Sequence, residues 1–170
     1  MIIWKWSSEL LRVNTLHLTH EQLVCELRKR PGLIPIDIKD ERVVWFDIGD
    51  SPLNKSKFYY SINDLLSNRD QAKLFTTDVK ALSLMAVLDN TIYPTGFILH
   101  MGRCGSTLLA KALAQSCRNI VITEAPPCDK IWKQFTSNWL YYPKATAERL
   151  TVYRNLILAC LLYTSDAADE

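Results

Sequence analysis

Apolar and polar positions along the chain follow helical and strand periods in turn. Thr19-His20-Glu21-Gln22 has the form of a capping box, in which the Thr hydroxyl accepts from the Gln22 backbone N–H while Gln22 reaches back. Leu23, Val24 and Leu27 then lay one apolar stripe on a helix that Pro31-Gly32 ends. The β-branched and aromatic run Arg42 to Ile48 predicts a strand closed by Gly49-Asp50-Ser51-Pro52. Phe58-Tyr59-Tyr60 predicts a second strand, and Ser61 with Asp64 opens a short helix through about Ser67. Asp78 to Leu88 carries Val79, Leu82, Met85 and Ala86 at helical spacing, and Tyr93-Pro94-Thr95-Gly96 supplies a turn.

The pattern changes after Gly96. Phe97 to Met101 is a short apolar run of the kind found in buried parallel strands, and Gly102 to Thr107 is a loop of small residues. Leu108 to Ser116 reads as a helix with leucines and alanines on its inner side, and Asn119 to Thr123 as a second buried strand. This strand–loop–helix–strand order predicts an α/β fold with a parallel sheet. Pro126-Pro127 breaks the chain, Asp129 to Phe135 reads as a helix, and Thr146 to Ala159 as another, apolar at Leu150, Tyr153, Leu156 and Ile157. The organisation expected is an accessory lobe of mixed α+β character over 1–93, a domain over 94–159 with only two evident strands, and a tail over 160–170.

Composition narrows the class. Of 170 residues 48% are hydrophobic and 22% charged, which excludes a disordered chain. A net charge of +2 is too small to predict a nucleic-acid partner. No run approaches the ~20 apolar residues of a membrane span, so no membrane partner is expected. The five cysteines are scattered and include no CxxC pair, pointing to neither a zinc site nor a disulfide framework but to a reducing, cytoplasmic setting. The last eleven residues, Cys160 to Glu170, resemble the translation of a transposon-type sequencing adapter and are set aside as a non-native tail. Without Asp166, Asp169 and Glu170 the net charge rises from +2 to +5. The natural chain is then expected to be mildly basic and cut in mid-fold.

The chemistry-bearing stretch is Gly102-Arg103-Cys104-Gly105-Ser106-Thr107. A helix N-terminus presents N–H groups and a partial positive charge, which attract phosphate or sulfate. The two glycines let the backbone curl closely round an anion, Arg103 can add two parallel charge-assisted hydrogen bonds, and Ser106 and Thr107 add hydroxyls. The loop is not a Walker A motif, because Gly105 stands where that motif requires Lys. A cysteine phosphatase would place Arg six positions after its thiolate, where this chain has Ala110, so Cys104 reads as a small loop residue.

Phe97 through Leu109 resembles the 5′-phosphosulfate loop of the sulfotransferase family: a strand, then Pro-Arg/Lys-Ser-Gly-Thr-Thr, then a helix. Gly102 stands for the commoner Pro and Cys104 for Ser. The resemblance covers residues 94–130 and implies a P-loop NTPase-like α/β fold that uses 3′-phosphoadenosine 5′-phosphosulfate (PAPS) as co-substrate without a metal. Gly102, Arg103, Cys104, Gly105, Ser106 and Thr107 would bind the donor, with Arg103 also acting in the transfer. Glu124, twenty-one residues after Arg103, resembles the base of the protein-tyrosine branch, which deprotonates the acceptor. The Arg and Ser that hold the 3′-phosphate in the family belong to a later strand and helix, expected beyond the cut.

Other residues carry less. His17 and His20 have no third metal ligand nearby, and His100, inside the apolar run, reads as a core histidine before a pocket residue. Lys111, Arg149 and Arg154 read as solvated helix residues, and Trp132, Trp139, Tyr141 and Tyr142 as core aromatics before an acceptor wall. The expectation is therefore the N-terminal part of a bacterial-style cytoplasmic sulfotransferase acting on a hydroxyl or amine acceptor, with transfer by the full-length parent and an inactive fragment. Two alternatives stand beside it: a P-loop phosphotransferase or nucleotide hydrolase with a degenerate loop, and a non-catalytic anion-binding module.

Overall fold

The computed structural model describes residues 15–53, 55–68, 73–86, 88, 92–116, 118–136 and 147–161. Its elements are β1 (Thr15–His17), α1 (His20–Lys29), β2 (Leu33–Lys39), β3 (Arg42–Asp47), α2 (Phe58–Ser67), β4 (Leu74–Asp78), a 3₁₀ helix (Val79–Ala86), α3 (Ser106–Leu113), α4 (Pro126–Thr136) and α5 (Ala147–Leu161). The fold is α/β, with four strands in the order β1-β4-β3-β2. The parallel sheet expected from the sequence is replaced by a mixed one: β1 pairs parallel with β4, while β2–β3 and β3–β4 pair antiparallel.

Local chemistry explains the hairpin. Asp40 and Glu41 connect β2 to β3 with φ of 49° and 60°, a two-residue turn whose left-handed residues give it the twist that matches the right-handed twist of the strands it joins. The Glu41 carbonyl accepts from the Val79 N–H at 2.8 Å, tying the turn to the end of β4. Along β2 the register shifts between Pro35 and Asp37, so one extra residue reverses the in–out alternation. Leu33 and Ile38 therefore face one core with Val43, Trp45 and Phe75, while Ile34 and Ile36 face the other with Val44, Phe46 and Leu74. Pro35 is tolerated because β2 is an edge strand.

Both faces of the sheet are covered. Leu23 of α1, Ala81, Leu82 and Met85 of the 3₁₀ helix, Ile131 of α4, and Leu156, Leu158 and Ala159 of α5 close one face. Phe58 and Ile62 of α2, four residues apart on one helical stripe, close the other together with Ala125. On the first face the Trp45 indole N–H donates to Thr77 Oγ1 at 2.9 Å, so the largest core side chain leaves no donor unmet. Asp37, buried at the bulge, accepts from the Ile38 N–H and is paired with Lys130, which fixes α4 on β2.

Several expectations are corrected. Phe58-Tyr59-Tyr60 opens α2 rather than a strand, because the Phe58–Ile62 stripe finds an apolar face to cover. Phe97–Met101 and Asn119–Thr123 are not strands: an apolar run becomes a strand only where a neighbouring backbone completes its ladder, and here neither run has one among the described residues. Phe97, Leu99 and Met101 are exposed, as are Leu108 and Leu109, so the leucines of α3 do not face a core. Leu150 is likewise exposed, while Leu156 is buried together with Leu158, Ala159, Cys160 and Leu161. Of the adapter-like tail, Cys160 and Leu161 thus continue α5, and 162–170 lie outside the described residues. No helix among the described residues is long and apolar enough to cross a membrane.

Candidate functional site

The glycine loop reaches its helix directly. Gly105 is the N-cap of α3, held at φ 85° and ψ 11°, a left-handed conformation that glycine adopts without a Cβ penalty. Its carbonyl accepts from the Leu108 N–H at 2.9 Å and the Leu109 N–H at 3.2 Å, which starts the helix. Gly105 has no side chain to cap the helix, so no side-chain bond covers the Ser106 and Thr107 N–H groups from the cap position. A Cβ built on Gly102 or Gly105 meets nothing within 4 Å, so the loop stands open to solvent on that side. Gly102, Arg103, Cys104, Gly105 and Thr107 are exposed, and Ser106 is half-buried. The loop therefore offers backbone donors, hydroxyls and a guanidinium in six consecutive residues.

Backbone conformation singles out two of the candidates. Four non-glycine residues among those described have positive φ. Asp40 and Glu41 make the hairpin turn; the other two are Arg103 at 62° and Glu124 at 48°. Left-handed backbone costs a non-glycine residue roughly 1–2 kcal/mol and recurs at sites where a side chain must be aimed. The two residues that the sequence marks for catalysis are thus the two held this way outside the hairpin.

Glu124 sits where the chain returns to the α2 face of the sheet. Ile122 and Ala125 pack into the apolar cluster around Phe58 and Ile62, anchoring the chain on both sides of the carboxylate. Glu124 Oε2 accepts from Lys57 Nζ at 2.7 Å, and both side chains remain partly exposed. Its ion pair runs to Lys57 and not to Arg103. The structure thus groups the loop residues with one another and Glu124 with Lys57. Lys57 was not marked by the sequence: it lies 67 positions from Glu124, and no local motif links them.

The remaining candidates disperse. His100 is exposed rather than in a core, and its Nδ1 lies 3.2 Å from the Met101 carbonyl. His17 Nδ1 lies 3.3 Å from Thr76 Oγ1. No cluster of three or more His, Cys, Asp or Glu placed to hold a metal occurs among the described residues. Lys111 lies exposed on α3 and Arg149 on α5, while the Arg154 guanidinium stands 5.9 Å above the Tyr93 ring. Trp132 is half exposed with its ring centroid 6.0 Å from that of Tyr153, whose hydroxyl pKa is pushed up by burial. Trp139, Tyr141 and Tyr142 fall outside the described residues. Comparison with known proteins finds no family model, curated protein or solved structure that matches this chain.

Proposed function

We propose that this chain carries the donor loop and base of a PAPS-dependent sulfotransferase within residues 96–124. The observation that supports this most is the left-handed backbone of Arg103 and Glu124, on either side of a helix that opens on a left-handed glycine. The residues of the loop suit an oxyanion of the donor. The Ser106 and Thr107 N–H groups and hydroxyls take phosphosulfate oxygens, and the Arg103 guanidinium takes two more in parallel.

Transfer needs two things of these residues, a proton acceptor and a counter-charge. Glu124 Oε1 takes the proton of the acceptor O–H or N–H as the new bond to sulfur forms. The bridging S–O bond of the donor breaks, and its electron pair leaves on adenosine 3′,5′-bisphosphate. Arg103 and the α3 N-terminus meet the charge that grows on that bridging oxygen. Arg103→Ala should then cost at least ~10² in turnover, the scale of losing one such donor. Unchanged turnover would remove the loop from the reaction.

The test is release of adenosine 3′,5′-bisphosphate from PAPS with a hydroxyl or amine acceptor present. Magnesium-dependent ATP turnover in its place would identify a phosphotransferase or nucleotide hydrolase. Binding of the bisphosphate without transfer to any acceptor would identify an anion-binding module.

A further inference from the structure

The carboxylate proposed as base is held by an element distant in sequence. Lys57 is the N-cap residue of α2, with extended backbone at φ −144°. The residues on either side of it are bonded to the segment that bears Glu124. The Phe58 N–H donates to the Thr123 carbonyl at 3.1 Å, and Thr123 Oγ1 donates to the Ser56 carbonyl at 3.3 Å. Phe58 and Ala125, one residue beyond each partner, are both buried in the same cluster. Backbone contacts thus bring the Lys57 ammonium to Glu124 Oε2 at 2.7 Å.

We infer that Lys57 is a positioning residue for Glu124, which deepens the sulfuryl-transfer reading and rests on it. The ammonium occupies Oε2 and leaves Oε1 to take the acceptor proton. A partly exposed ion pair adds little to folding, so replacing Lys57 should leave the fold intact. The lobe that precedes the loop thereby acquires a task in the reaction.

The experiment is steady-state transfer from PAPS to a panel of p-nitrophenol, glucosamine and tyramine. It is run on the full-length protein and on its K57A, K57R, E124Q and K57A/E124Q variants. Binding of adenosine 3′,5′-bisphosphate is measured alongside by calorimetry. K57A should lose about 10²-fold in kcat, the cost of a misplaced reacting group, with the donor KM and bisphosphate affinity unchanged. K57R should recover most of that loss, and K57A/E124Q should be no slower than E124Q alone. Transfer by K57A at the rate of the unsubstituted chain overturns the role of Lys57 and leaves the sulfotransferase reading standing. K57A and K57R equally slow, with bisphosphate affinity lost, also overturns it, because the lysine would then serve the loop or the fold. No transfer by the unsubstituted full-length protein overturns the sulfotransferase reading and this inference with it.

Discussion

The Phe58 N–H donates to the carbonyl of Thr123 across 3.1 Å, joining the start of α2 to the residue before Glu124. Through that bond the face of the sheet covered by α2 determines where the candidate base stands. Phe58 is held by its apolar neighbours Ile62 and Ala125, so packing on the sheet is transmitted to a charged residue at the surface.

If Glu124 is the proton acceptor, Glu124→Gln should abolish transfer while leaving adenosine 3′,5′-bisphosphate binding intact. The amide keeps the size of the side chain but cannot take a proton. Calorimetry with the bisphosphate separates the two effects; equal loss of both would make Glu124 a structural residue.

Gly105→Ala and Gly102→Ala should behave differently, although neither methyl meets a neighbour within 4 Å. Gly105 alone of the two has a positive φ, 85°, and alanine there costs roughly 1–2 kcal/mol or else shifts the first turn of α3. Urea unfolding and bisphosphate titration should both register Gly105→Ala. Gly102→Ala should leave unfolding unchanged.

Gly32→Ala tests the packing of the hairpin. A Cβ at Gly32 would lie 2.5 Å from the Gly49 backbone nitrogen, and Ile48 N–H already donates to the Gly32 carbonyl at 2.9 Å. Backbone on both sides must shift, so a loss of about 1–3 kcal/mol in urea unfolding is expected. A variant as stable as the parent would contradict the close approach of these two turns.

Glu26 gives the stability a pH dependence of known sign. The hydrogen bond from Arg30, 2.7 Å from Glu26 Oε2, holds the Glu26 carboxyl below its ordinary pKa. A carboxyl lowered in the folded state stabilises fully above its unfolded value of about 4.3 and loses that contribution as pH falls through the lower folded value. The difference in unfolding free energy between the parent and Glu26→Gln should therefore narrow on acidification from neutral pH. A constant difference would remove Glu26 from the acid response.

Local chemistry made some of the fold readable. The Thr19–Gln22 capping box is present with both of its bonds, at 3.3 Å and 2.9 Å, because it needs only four consecutive residues. The run at β3 is half of a hairpin whose other half has no readable period: Pro35 and the bulge beside it interrupt β2, so no single alternation runs through Leu33–Lys39. Phe58-Tyr59-Tyr60 has strand propensity but is helical, since tertiary packing of Phe58 and Ile62 outweighs a weak local preference. Phe97–Met101 shows the reverse, strand-like composition without a partner strand among the described residues. In the candidate site the loop and Glu124 were legible because their residue types are consecutive or end an apolar run. Lys57 was not, because only the folded chain brings it to Glu124.

Equilibrium binding of PAPS to the chain and to Arg103→Ala tests the donor loop most directly. Losing charge-assisted hydrogen bonds to an anion is worth about 1.5–3 kcal/mol, at least ~10-fold in Kd. Saturable binding by the parent chain, weakened by that factor or more in Arg103→Ala, is the expected result. No binding by the parent, or equal affinity in the two proteins, would contradict a sulfuryl-donor site in this loop.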